Sequence, residues 1–110
     1  MADNRYLLVL CTCPDQPAAE RIANAVVGEG LAACVNILPE ITSVYRWEGS
    51  LQCDAERLLI IKTRSDVYPP LETRIRALHP YQVPEVIAVP IDRGSPAYLA
   101  WLDGCLGDGP

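Results

Sequence analysis

The sequence is poor in several features that would place it in a large class of proteins. No apolar run approaches the roughly 18 residues that a bilayer-spanning helix needs. The amino-terminal residues also lack a basic segment followed by a signal-type apolar core. We therefore expect no association with a membrane, and we interpret the protein as cytoplasmic.

Positive charge is also scarce. The chain has nine Lys and Arg residues against fourteen Asp and Glu, which gives a net charge of −5. The basic residues are scattered, whereas binding to nucleic acid requires a basic face. No glycine-rich phosphate cradle is present. We expect neither a nucleic-acid partner nor an organic cofactor.

Histidine and methionine each occur once, as His79 and Met1, but cysteine occurs five times. The odd number and irregular spacing of the cysteines argue against a disulfide framework, so we expect reduced thiols that are mostly small buried apolar residues. Cys11 and Cys13 form a C-x-C pair, not the C-x-x-C pair of redox or zinc sites. In a strand, both side chains point to the same face.

The single histidine opens a stiff connector that runs from His79 to Glu85. Pro80 and Pro84 fix their own φ angles and exclude the preceding residues from the helical region. The directions of the imidazole and the carboxylate in this segment should therefore be well defined. A rigid segment with these two groups is the first candidate for a functional surface.

The order of elements predicts an α+β fold. Apolar runs with strand character occupy four stretches, at residues 6–13, 33–47, 58–63 and 86–91. The stretch 33–47 with its continuation predicts a long, bent hairpin with reversals near Pro39 and Gly49. Helical patterns begin after three sets of capping residues, namely Asp15, Ser65 or Asp66, and Ser95. The resulting βα, ββ, αβ order is the split βαβ pattern of a ferredoxin-like sandwich.

The strands lack the alternation that a half-exposed sheet should show. Residues 7–11, 58–61 and 86–89 are apolar without interruption. Helices cover only one face of such a sandwich, so the second apolar face also needs a cover. A symmetric homo-oligomer supplies it, and we predict that the isolated monomer is not stable.

Six segments together resemble the CutA divalent-cation tolerance family. They are LCTCPD at 10–15, LAACVN at 31–36, YRWEG at 45–49, IKT at 61–63, HPYQVPE at 79–85 and YLAWL at 98–102. The resemblance implies one domain over residues 1–110, with a core at about 6–106 and a short flexible carboxy-terminal tail. It also implies a homotrimer similar to the PII signalling proteins, and a function in tolerance of copper and other divalent metals.

The resemblance further implies a metal site formed by Cys11, His79 and Glu85. Thiolate, imidazole and carboxylate together suit copper(II) or zinc. Some family members have a second histidine just before the first, where this chain has Leu78. The alternative is structural: a core cysteine, a histidine at a helix end and a surface anion.

Two other functions stay open at this stage. A catalytic pair of Cys11 and His79 would need an oriented base and an oxyanion site, and the sequence offers no third member, so we expect no enzyme. A PII-like scaffold without a physiological metal could hold a small anion or metabolite in a cleft near Tyr81, Lys62 and Glu85. Tyr45 and Trp47 fit either a recognition patch or an oligomer interface.

Overall fold

The computed structural model describes residues 5–107, so the predicted flexible tail lies almost wholly outside the described residues. Four strands and three helices follow one another as β1 (Tyr6–Cys13), α1 (Gln16–Gly28), β2 (Cys34–Trp47), β3 (Ser50–Arg64), α2 (Tyr68–Leu78), β4 (Ile87–Pro90) and α3 (Pro96–Cys105). None of the helices in this range has both the length and the apolar character to span a bilayer.

The four strands form one antiparallel sheet in the order β2-β3-β1-β4. β3 lies between β1 and β2, and β1 lies between β3 and β4, so each of α1 and α2 crosses over an intervening strand. This is the split βαβ arrangement. The predicted ferredoxin-like α+β fold is confirmed.

The long hairpin of β2 and β3 differs from the prediction at one point. Residues near Pro39 do not reverse the chain, because β2 continues through them with a bulge between Leu38 and Ile41. A proline cannot donate to the sheet ladder, and a bulge is where a strand tolerates it. The true reversal follows Trp47, where Glu48 (φ 49°) and Gly49 (φ 82°) form a tight turn.

The core lies between α1, α2 and one face of the sheet. Every second residue of β1, from Leu7 to Cys13, is buried against helix residues such as Ile22 and Ile75. Only Cys11 and Cys13 among the five free cysteines are buried, while Cys53 is exposed. The expectation that most cysteines are buried was therefore wrong for three of the five.

The opposite face of the sheet, here called the outer face, is apolar but incompletely covered. The cross-strand pairs Leu10–Ile60 and Leu10–Ile87 place their side chains on this face. Ile87 is 52% exposed and Val89 is 45% exposed. The predicted buried strand at 86–91 is thus exposed in the single chain, because β4 is an edge strand with no layer over its outer face.

Helix capping matches the sequence prediction at two of three sites. Asp15 accepts a hydrogen bond from the Ala18 N–H at 2.9 Å, and Ser95 accepts one from the Tyr98 N–H at 3.1 Å. Ser65 and Asp66 were predicted to cap α2, but the N-cap residue is Val67, which makes no side-chain cap bond. Asp66 instead binds Arg64 through a 2.7 Å contact.

The Asp15 cap gives a simple stability prediction. Asp15→Ala should lower the free energy of unfolding by about 1 kcal/mol, because the Ala18 N–H loses its acceptor. Chemical denaturation of the two proteins measures the difference. Asp15→Asn is the matched control and should stay close to wild type, since an amide oxygen also caps a helix. Equal losses in both variants would contradict the assignment of the cap.

Candidate functional site

Cys11, Cys13 and His79 form a buried cluster at the end of β1. Their sulfur and ring-nitrogen atoms all lie within 4.8 Å of one another. Both cysteines point to the helix side of the sheet because they are two residues apart in one strand. His79 reaches them because α2 ends there, at a residue whose extended backbone (ψ 137°) leads into Pro80. The fold thus brings two separate segments together.

Both ring nitrogens of His79 make hydrogen bonds. Nδ1 accepts from the Tyr81 N–H at 3.1 Å, so the proton of the neutral ring is on Nε2. Nε2 then donates to the Thr12 carbonyl at 2.7 Å. The ring therefore joins the connector to the end of β1, and a metal could bind it only in place of one of these partners.

The two thiols are electrostatically coupled. The interaction of the two thiols, followed by burial, raises the pKa of Cys11, and the same interaction lowers the pKa of Cys13. When one of the two thiols ionises, the negative charge is favoured on Cys13. The raised pKa of Cys11 disfavours the nucleophilic role considered for it, since the thiolate is the reactive form.

A cleft of about 720 Å³ lies next to this cluster, between the distal half of the hairpin and the connector. Thr12 forms part of its wall and so connects it to the end of β1. The connector contributes Tyr81 and Glu85, and the hairpin contributes Trp47 and Glu56. The Tyr81 hydroxyl donates to Glu56 Oε2 at 2.6 Å. The volume is that of an ordinary small-molecule site.

The structure brings only two of the three predicted ligands together. Cys11 and His79 are in the cluster, whereas Glu85 is exposed, lines the cleft and is not a member of the group. Its charge still helps to raise the pKa of Cys11. Lys62 is not part of the described cleft, and its Nζ donates to Asn36 Oδ1 at 2.6 Å, on the outer face of the sheet.

Sequence reasoning missed two site residues. Cys13 takes the place expected for Glu85, and the signal that could have shown this was the C-x-C spacing on one face of a strand. Glu56 is 95% buried although it is a carboxylate, being only 5% exposed. No local pattern marks it, because its position in the cleft depends on how the hairpin bends across the connector.

The spacing of the donor atoms in the cluster is close to that required for a single metal ion. Two sulfur ligands of one zinc ion are at most about 4.6 Å apart, since each Zn–S bond is about 2.3 Å. The observed limit of 4.8 Å is close to that value. Two sulfurs and one imidazole form a donor set suited to zinc and copper. The residues therefore suit a metal by their chemistry, provided that the donor atoms move closer together and His79 gives up one of its two hydrogen bonds.

The fold is that of a small ferredoxin-like α+β protein. The thiol–imidazole cluster at the end of its first strand makes it a candidate metal-binding protein. The chain matches the family described as CutA1 divalent ion tolerance protein over residues 7–105. It belongs to this family.

Individual relatives agree with this assignment. The chain is 52% identical over 95 residues to the divalent-cation tolerance protein CutA of Thermus thermophilus, covering 86% of this chain and 92% of that protein. A crystal structure of CutA1 from Oryza sativa superposes with a TM-score of 0.92 at 48% identity, covering 96% of each chain.

The lengths of the relatives differ. Protein CutA of Mus musculus is 50% identical over 91 residues, which cover 83% of this chain but 51% of the mouse protein. This chain therefore spans about half the length of some curated relatives that it matches. The family match over residues 7–105 includes the strands and helices that form the cluster and the cleft.

Proposed function

We propose that the protein binds a divalent metal ion, copper(II) or zinc, through Cys11, Cys13 and His79, and that this binding underlies tolerance of divalent cations. The observation that supports this most directly is the convergence of three donor atoms within 4.8 Å. The names of the relatives point to the same class of ligand. Glu85 lies in the adjoining cleft and contributes charge at a distance.

We further propose that the working form is a homotrimer. The outer face supports an assembly, because Leu10, Ile60 and Ile87 are neighbouring apolar residues without a covering layer in the described chain. A contiguous apolar patch that is exposed in a single chain is typical of an interaction surface. Further copies of this chain are the simplest cover, and the number three rests on the resemblance to the CutA family.

Zinc titration tests the metal proposal without oxidising the thiols, since zinc has no redox chemistry. Reduced protein should take up one ion per chain in competition with a chromophoric chelator. Loss of a residue that only orients a metal ligand weakens metal binding by about 10–100-fold. Cys13→Ser removes a ligand itself, so it should weaken zinc binding by about 100-fold or more.

Cys53→Ser is the matched control for that titration, because Cys53 is exposed and is not a member of the cluster. It should bind zinc as the wild type does. If Cys13→Ser and Cys53→Ser bind zinc equally, the cluster is not the metal site. If the wild type binds no zinc and no copper(II), the protein does not act by direct binding.

A second function is supported by the cleft. A cavity of about 720 Å³ with aromatic walls can hold a small molecule and report it to a partner, as in the PII-like scaffold considered above. In this case metal is not the physiological ligand. The two functions differ in the part of the molecule that binds, so they can be tested separately.

A further inference from the structure

We infer that the cleft between the hairpin and the connector is a binding site for an organic ammonium ion. This inference rests on the second function above and specifies its ligand class. The sequence had suggested a small anion as the ligand of a cleft that included Lys62. The cleft of the folded chain has two carboxylates and does not include Lys62, so we infer a cation instead. The charge, the free hydrogen-bonding capacity and the aromatic walls of the cleft all suit such a ligand.

Charge is the first observation. Glu56 and Glu85 line the cleft, and no Lys or Arg side chain is among its described lining residues. Asp54 lies close by, since the Tyr45 hydroxyl donates to Asp54 Oδ2 at 2.5 Å. No salt bridge within residues 5–107 neutralises Glu56 or Glu85. A concave surface with charge of one sign attracts ligands of the opposite sign.

Glu56 provides the second observation. It is only 5% exposed, and a buried carboxylate is costly unless it is paired or hydrogen-bonded. One oxygen accepts from the Tyr81 hydroxyl, and the other has no hydrogen bond among the described residues but remains open to solvent, where a ligand can reach it. A positive group in the cleft would complete the coordination of this buried anion.

Aromatic side chains provide the third observation. Tyr45, Trp47 and Tyr81 line the same cleft, and Trp47 is 43% exposed. Aromatic faces attract cations through the ring quadrupole, and quaternary ammonium groups are recognised by cages of this kind. A hydrated metal ion gains little from contact with aromatic rings. An alkylated ammonium group can contact both the rings and the carboxylates. The cleft therefore favours an organic cation.

Choline is the probe that tests this inference, with 3,3-dimethyl-1-butanol as its uncharged isostere. Calorimetric titration of the full chain, in the assembly that it forms, should show one choline site per chain. The isostere should bind at least ten-fold more weakly, because it has the same shape without the charge. Glu56→Gln and Glu85→Gln should each weaken choline binding at least ten-fold, since each removes one negative charge.

Asp92→Asn is the control for charge removal, because Asp92 is highly exposed and lies outside the cleft. Its choline affinity should equal that of the wild type. Cys13→Ala should also leave choline binding unchanged, which separates this site from the metal cluster. Circular dichroism of each variant checks that the fold is intact.

Four results would overturn the inference. Three of them are binding results: choline and its isostere bind equally, both glutamine variants keep the wild-type affinity for choline, or choline does not bind at millimolar concentration. The fourth is structural: a basic side chain of a neighbouring copy occupies the cleft. Binding of succinate in place of choline would reject the cationic ligand class and retain the scaffold function. If no small molecule of either charge binds, the scaffold function fails as well.

Discussion

A chain carrying Ile60→Glu should behave as a monomer, whereas the wild type should have three times the chain mass of 12.0 kDa. Ile60 lies at the centre of the outer face, directly opposite Leu10 on β1 and Asn36 on β2. A carboxylate buried there by a neighbouring copy would lose its hydration, and the nearest cation of its own chain, Lys62, already donates to Asn36. The cost of this burial is on the order of 3–5 kcal/mol for each subunit, which is enough to dissociate the assembly.

Light scattering at micromolar concentration measures the mass of both proteins. Ala77→Glu introduces the same side chain on an exposed position of α2, on the helix side of the sheet, and should keep the wild-type mass. The monomeric variant should also unfold at a lower temperature, because its apolar face stays in water. A wild type that scatters as a single chain would contradict both the trimer and the reason given for it.

The sequence was sufficient for the fold because the local signals agreed with one another. The apolar run of β1, the Asp15 cap and the Glu48–Gly49 turn each predict the conformation that the structure shows. Agreement among the local signals is what allows a fold to be predicted from a single sequence. The misplaced reversal near Pro39 shows the limit, since proline permits a bulge and a turn equally well.

The site was harder to predict from the sequence, because it depends on contacts between segments that are far apart along the chain. His79 and Thr12 are 67 positions apart and meet through one hydrogen bond. Glu56 and Tyr81 are 25 positions apart and meet only because the hairpin lies across the connector. No periodicity reports such pairs. The sequence predicted Glu85 as the third ligand, whereas the structure places Cys13 in the cluster. This difference also depends on distant contacts, because only the folded sheet determines which donor faces the imidazole.

His79→Ala should lower the free energy of unfolding of the metal-free protein by about 3 kcal/mol. The side chain is 7% exposed, so its removal leaves a cavity and leaves the Thr12 carbonyl with only the weak 3.9 Å contact to the Cys11 thiol. Losing the partner of a buried acceptor costs about 1–3 kcal/mol, and the cavity adds to this. Chemical denaturation in the presence of a chelator gives the value for the metal-free state.

His79→Phe separates the two causes, because it fills much of the cavity and restores no hydrogen bond. It should recover part of the loss and remain less stable than wild type. Zinc should then stabilise the wild type and neither variant, since stabilisation by a ligand follows its affinity for the folded state. If His79→Ala is as stable as wild type without metal, the bond to Thr12 has no structural value and His79 serves as a ligand alone. If zinc stabilises all three proteins equally, His79 is a structural residue that joins the connector to β1, and the metal is held without it.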